Sequence, residues 1–333
     1  MNRPLRMVIR GTGATVPDDV LDNDYFASYL DTSNEWILPR TGIRERRKAA
    51  EGQSTLDLAL EASKRALDDA GMEANEIDLI IVCTASPETP LPSTACWLQA
   101  ELGIGGPEGP PAFDLAAACS GFVYGMIVAG HMIESGVYRN VLLVGAETLT
   151  RITDYQDRAS CILFGDGAGA AVLSKSDAPD KGIIHHTMGA DGERAKCIWI
   201  PAGGAREPSS IRTVNERLHY MRIKGREIYK FAVLKMESLV AEALEVTGTK
   251  VEDLRLVIPH QSNRRIIESA RERVHLPPEK MAINIDRFGN TSSASVAMAL
   301  DEARRDGRIK SGDLVLFVAF GAGLTWASAM LRM

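Results

Sequence analysis

Cysteine is scarce in this chain and shows no pairing pattern. The five cysteines (83, 96, 119, 161, 197) are odd in number and have no C-x-x-C spacing. That argues against a disulfide framework and a structural zinc site, and points to a reducing compartment. Long apolar runs are also missing. No stretch approaches the roughly 18 apolar residues that suggest a membrane span, and the opening MNRPLRMVIRGTG has no signal-peptide core. A basic excess is lacking too: the formal net charge of −6 disfavours a general nucleic-acid binder, which needs a basic face. These absences lead us to expect a cytoplasmic protein with neither membrane nor nucleic acid among its partners. What is present, 333 residues with 45% hydrophobic and 25% charged, suffices for a large α/β body or two domains.

The chain repeats itself. DLIIVCTASPE from Asp78 and DLRLVIPHQSN from Asp253 each read as a buried strand ending in a polar loop. AFDLAAACSGFVYGMIVAGHMIESG, ending at Gly136, matches NIDRFGNTSSASVAMALDEARRDG, ending at Gly307. Both read as strand, tight turn and helix, with a glycine where helices terminate. NVLLVGAE from Asn140 then matches DLVLFVAFGAG from Asp313. The three pairs keep order and nearly constant spacing. Amphipathic helices precede each set: STLDLALEASKRALDDAG, opened by a serine cap, and KFAVLKMESLVAEALEVTG. Strands alternating with helices imply right-handed crossovers and a mostly parallel sheet in each half. We expect two α/β halves related by a pseudo-twofold, residues 1–175 and 176–333. The helix after Cys119 is apolar nearly all round and belongs between layers. On the repeat, Asn290 occupies the position matching Cys119, so the two come together where paired helices begin.

Chemistry converges on the same place. Among six histidines only His260 ends an apolar strand and enters a polar loop. Sites in α/β sheets gather at the carboxyl ends of strands, where Cys119, His260 and Asn290 would all lie. Taken singly, a buried cysteine or a histidine after a strand is more often structural; convergence from two halves reverses that. A helix N-terminus lowers a thiol's pKa, while an imidazole and a carboxamide donate to a developing oxyanion. The FGAG turn at 320–323 offers backbone N–H groups. GDGAGA at 165–170 lacks the G-x-G-x-x-G register and reads as a turn between strands. NEWILPRTGIRER reads, on its own, as a charged surface loop.

Together AAACSGF, PHQSNRRI, GNTSSAS, FGAGLTW, NEWILPRTGIRER and ILFGDGAGAAVL resemble the β-ketoacyl-acyl-carrier-protein synthase III family, from about residue 8 to the C-terminus. The resemblance implies a thiolase fold, a duplicated βαβαβαββ unit in a five-layered α-β-α-β-α body. It implies an acyltransferase that condenses an acyl-CoA primer with malonyl-acyl carrier protein, initiating fatty acid synthesis without metal or cofactor, as a homodimer. Cys119 would be the nucleophile, His260 and Asn290 would hold the malonyl thioester, and the backbone N–H groups of Cys119 and Ala322 would form an oxyanion hole. Thr32, Trp36, Arg40, Arg158 and Asn263 would bind CoA, with the adenine between Trp36 and Arg158. Leu91 and Phe164 would shape the acyl pocket, Leu91 from across the dimer. Lys230, Gln261, Arg264 and Arg265 would dock the acidic carrier protein, in a basic cluster that includes Lys224 and Arg226.

Rival assignments are weaker. A papain-like hydrolase also runs Cys, His, Asn, but has no place for duplicated halves. A degradative thiolase needs a second catalytic cysteine near the C-terminus, and none follows Cys197. A starter-unit or polyketide synthase of the same family shares all three residues and stays open. Leucine at 91, smaller than the phenylalanine common in relatives, leaves room for branched or longer primers.

Overall fold

The structure, a computed structural model, describes residues 5–333. In the first half β1 (Met7–Thr15) leads to α1 (Asn34–Thr41), α2 (Thr55–Ala70), β2 (Leu79–Cys83), α3 (Thr94–Glu101), β3 (Ala112–Leu115), α4 (Gly121–Glu134), β4 (Asn140–Thr148) and β5 (Asp166–Lys175). The second half holds β6 (Gly182–Ala190), α5 (Gly225–Thr247), β7 (Leu254–Pro259), α6 (Arg264–Arg273), α7 (Ala294–Arg305), β8 (Leu314–Gly321) and β9 (Thr325–Arg332).

The first sheet runs β1-β5-β4-β2-β3 and the second β7-β8-β9-β6. Only β5 in the first and β9 in the second run against their neighbours. A parallel bridge from Val257 to Met281 stands in the second half where β3 stands in the first. The layers follow from which faces are apolar. Helix α2 packs on the outer face of the first sheet and α5 with α6 on the outer face of the second. Between the sheets, α4 buries nine of its 14 residues and α7 nine of its 12. The result is the five-layered thiolase arrangement. Local signals explain the ends of α2: Ser54 and Asp57 form a reciprocal capping box, and Gly71 closes the helix at φ 62°.

Three local expectations change. NEWILPRT is helix α1, capped by Ser33, rather than a loop. GDGAGA belongs to strand β5 rather than to a turn. Before α7 the chain makes a short helix, Ile285–Phe288, where the repeat suggested a strand. The helix caps Ser120 and Ser293 are the true equivalents, so Ser292 and not Asn290 is the counterpart of Cys119.

Candidate active site

A cavity of about 930 Å³ opens at the carboxyl ends of β2, β3, β7 and β8. Cys119, His260, Asn290, Ser292 and Ala322 line its inner end; Trp36, Arg40, Arg226, Asn263 and Arg265 line its mouth. Cys119 sits in a tight turn, Ala118–Ser120, just ahead of α4. The preceding Ala118 takes φ 46°, a left-handed conformation that alanine rarely adopts. The β8–β9 hairpin presses against this turn so closely that a Cβ on Gly321 would lie 2.7 Å from the Cys119 nitrogen. Only glycine fits there, and Ala322 is thereby brought beside the cysteine's backbone.

The thiol does not behave as its place before a helix suggested. Cys119 keeps some surface exposed and lines the inner end of the cavity, with the rest of it packed in protein. That desolvation pushes the thiol up to about 12, against a lowering contribution from Ser292. The fully buried Glu147 adds to the rise. Burial also pushes the imidazole of His260, 1% exposed, down to about 3. At rest the pair is therefore neutral: a thiol beside an uncharged imidazole. The His260 ring is held from two directions, by Ser295 Oγ at 2.8 Å from Nδ1 and by Phe320 edge-on at 5.6 Å, while its backbone amide donates to Val318 O at 2.8 Å. Asn290 Oδ1 accepts from the Ser292 amide at 2.9 Å, which turns Nδ2 toward the cavity as a donor.

Glu147, which the sequence did not single out, ends β4 and joins the halves. It accepts from Ser86 Oγ at 2.7 Å, the Ser86 and Ala85 amides, and Ser293 Oγ at 2.8 Å across the body. Burial raises its carboxyl and these donors oppose the rise. A conspicuous sign was available: an acid directly after the apolar run VLLVGA.

At the mouth, Arg40 and Arg158 lie 4.6 and 5.0 Å from the Trp36 ring centre. Asn263 caps α6 through the Arg265 amide and donates to Arg40 O at 3.0 Å, tying α1 to α6. Thr32 lies outside the cavity lining, its hydroxyl buried with no partner. Phe164, 6% exposed, lines the cavity. Leu91 is 87% exposed and does not line the cavity of its own chain. Lys230, Arg264 and Arg265 are exposed. Gln261 is not: it is 1% exposed and bonded to Pro259 O, Ala282 O and the Asn284 amide. It is an internal brace, so it is withdrawn from the docking surface. Among the described residues no group of three or more His, Cys, Asp or Glu could hold a metal ion, and no helix is long and apolar enough to cross a membrane.

Comparison with known proteins agrees with this arrangement. Sequence models described as 3-oxoacyl-[acyl-carrier-protein (ACP)] synthase III and its C-terminal part match residues 113–192 and 244–333. The β-ketoacyl-[acyl-carrier-protein] synthase III of Caldanaerobacter subterraneus subsp. tengcongensis is 51% identical over 97% of both chains. The crystal structure of 3-oxoacyl-[acyl-carrier-protein] synthase III from Aquifex aeolicus VF5 superposes with a TM-score of 0.89 at 43% identity, covering 98% of this chain and 100% of that one. The priming β-ketosynthase of the R1128 polyketide pathway gives a TM-score of 0.89 at 35% identity, covering 100% and 98%. With a thiol, an imidazole and a carboxamide gathered from two repeated halves, and this identity along nearly the whole length, the chain belongs to the β-ketoacyl-acyl-carrier-protein synthase III family of condensing acyltransferases.

Proposed function

We propose that the protein condenses an acyl-CoA primer with malonyl-acyl carrier protein, giving a 3-ketoacyl thioester that starts fatty acid synthesis. The observation that carries this is the meeting of Cys119, His260 and Asn290 at the closed end of one largely apolar cavity. The Cys119 thiol takes the acyl group, and the Cys119 and Ala322 amides receive the oxyanion of the tetrahedral intermediate. The Asn290 carboxamide and His260 then bind the malonyl thioester oxygen while CO₂ leaves, and the resulting enolate attacks the acyl-cysteine. The reaction needs no metal or cofactor. Residues 1–175 supply the nucleophile and 176–333 the other two.

Trp36, Arg40, Arg158, Thr32 and Asn263 are assigned to CoA, since an indole and guanidinium faces suit an adenine and its phosphates. Lys230, Arg264 and Arg265 are assigned to the acidic carrier, whose docking is then salt-sensitive. A homodimer fits the edge strand β3 flanked by Leu91 and by Trp97, the latter 40% exposed. A cytoplasmic location fits five free thiols.

The test is intact-protein mass spectrometry after mixing with acetyl-, isobutyryl- and octanoyl-CoA, followed by malonyl carrier protein. An acyl adduct absent in Cys119→Ser, and a ketoacyl product, are expected. No adduct from any primer would sink the assignment.

A further inference from the structure

The oxygen of Ser295 touches three groups, and their chemistry fixes a proton. Ser295 Oγ lies 2.8 Å from Ser292 O, 2.8 Å from His260 Nδ1 and 3.3 Å from the Gln261 amide nitrogen. A carbonyl only accepts, so the single hydroxyl proton goes to Ser292 O. The amide only donates. The remaining contact is satisfied when His260 Nδ1 donates as well, which fills both lone pairs of the hydroxyl. The neutral ring thus carries its proton on Nδ1 and a lone pair on Nε2, and no group among the described residues engages Nε2. Ser295 is 2% exposed, so these contacts are shielded from bulk solvent.

We propose that Ser295 is a positioning residue that locks His260 in the Nδ1–H form, so that Nε2 alone receives the Cys119 proton and handles every later proton of the cycle. This rests on the condensation proposed above. In acyl transfer the Sγ–H bond breaks and its proton goes to Nε2. The Sγ–acyl bond forms, the bond from the acyl carbon to the CoA sulfur breaks, and the CoA thiolate leaves with the Nε2 proton, so the ring is neutral again. Malonyl carrier protein then brings a carboxylate whose charge favours the protonated ring, and Nε2 takes a proton from solvent. It donates to the malonyl thioester oxygen, and Asn290 Nδ2 donates beside it. The bond to the malonyl carboxylate then breaks, its electron pair enters the enolate, and CO₂ departs. The enolate carbon bonds the acyl carbon, the Sγ–acyl bond breaks, and the Cys119 thiolate takes the Nε2 proton. Nδ1 never changes hands. Burial favours the neutral ring at rest.

Ser295→Ala removes the acceptor on Nδ1 and admits the Nε2–H tautomer, which can donate to a thioester but cannot receive the thiol proton. Acylation of Cys119 by acyl-CoA, followed by mass spectrometry, is expected to fall about 10²-fold, the lower range of a general-base contribution. Decarboxylation of malonyl carrier protein should fall far less. Equal losses in both half-reactions, as from a merely structural role, or no loss in either, would overturn the proposal. Nitrogen-15 spectra of the histidine-labelled, full-length protein test it without turnover. They should report a neutral His260 protonated on Nδ1 in the wild type; protonation on Nε2 would refute it. A wild type that forms no acyl-cysteine counts against the condensing activity instead, and the spectra still decide the tautomer.

Discussion

The Arg158 guanidinium lies 5.0 Å from the centre of the Trp36 ring, held by the Asp31 carbonyl at 2.7 Å and the Asp31 carboxylate at 3.2 Å. A base stacked between the two would need about 7 Å, twice a van der Waals separation of about 3.5 Å. The slot proposed above for CoA is therefore closed here by its own second wall, and opening it would mean that Arg158 swings away from the indole.

The slot makes a clean prediction. Arg158→Ala removes one wall but also the stacked contact that a nucleotide must displace, so the adenine loses one partner, worth about 1 kcal/mol for an exposed cation–π contact. KM for acyl-CoA should rise about fivefold with kcat little changed. Acyl-pantetheine, which has no adenine, should show no change in KM. Equal effects on both substrates would remove Arg158 from the nucleotide site.

The neutral resting pair sets the pH behaviour. Because the thiol is pushed up to about 12, its thiolate fraction grows tenfold per pH unit throughout the neutral and mildly alkaline range. Alkylation of Cys119 by iodoacetamide, read by mass, should climb in that way from pH 7 to 10 without levelling. A plateau near pH 7 would mean that the helix terminus wins over burial.

His260 gives the complementary acid limb. Its folded pKa, about 3, lies below the unfolded value of about 6.5. Between these values the unfolded chain binds a proton that the native one refuses, so stability is full above about 6.5 and is lost as pH falls toward 3. The slope is about 1.4 kcal/mol per pH unit for one proton. His260→Gln, which does not titrate, should have a shallower acid limb in urea midpoints measured from pH 3 to 7. Parallel limbs would show that the imidazole is not buried neutral.

What the sequence disclosed and what it hid divide along the range of the interactions. Ser54, Asp57 and Gly71 act within one turn of helix, so α2 could be read with its ends. Strands β2 and β7, and with β7 the place of His260, followed from short apolar runs ending in polar residues, while the place of Cys119 followed from the strand, turn and helix read in AFDLAAACSGF. GDGAGA misled because its small residues serve a partner far along the chain: a Cβ on Gly169 would lie 2.6 Å from the Ala297 side chain. The run marks a strand pressed against α7, not a turn. The match between Cys119 and Asn290 slipped for a similar reason, since the short helix before Gly289, which takes φ 64°, shifts the chain relative to its repeat. Ser295 acts only through neighbours brought from other elements, so nothing in its own surroundings announced it, whereas Glu147 was marked by its place directly after VLLVGA.

Leu91 tests the dimer and the primer together. It is exposed and does not line the cavity of its own chain, so any influence on primer length must act through a second copy. Leu91→Phe adds bulk there, and overfilling a packed site costs about 1–3 kcal/mol. In kcat/KM measured along a series of acyl-CoAs, octanoyl-CoA should lose at least fivefold relative to acetyl-CoA. An unchanged ratio would leave Leu91 as a surface residue with no part in the pocket.

The outer wall of the cavity depends on one acid. Asp154, 4% exposed, accepts from Arg217 Nη2 at 2.5 Å, from Arg222 Nη1 at 2.7 Å and from the Gln156 amide at 3.1 Å. Burial alone would raise its carboxyl, but these donors outweigh it and hold the group below the usual range. Arg222 and Ile223 pair with Trp199 and Ile198 in a two-stranded ribbon, and Ile198, Trp199, Met221 and Ile223 all line the cavity. Asp154 thereby pins the ribbon that walls the cavity without itself lining it, so it would act on a bound acyl chain only through that wall. Asp154→Asn keeps the shape and removes the charge, and the ribbon loosens. A displacement of about 1 Å at a reacting group can cost 10²-fold. Here it affects a wall rather than the nucleophile, so roughly a tenfold loss in kcat/KM for octanoyl-CoA is expected, with acetyl-CoA nearly unaffected because its two carbons stay beside Cys119. If both primers suffer equally, the acid supports the whole site, and the ribbon is not what selects the primer.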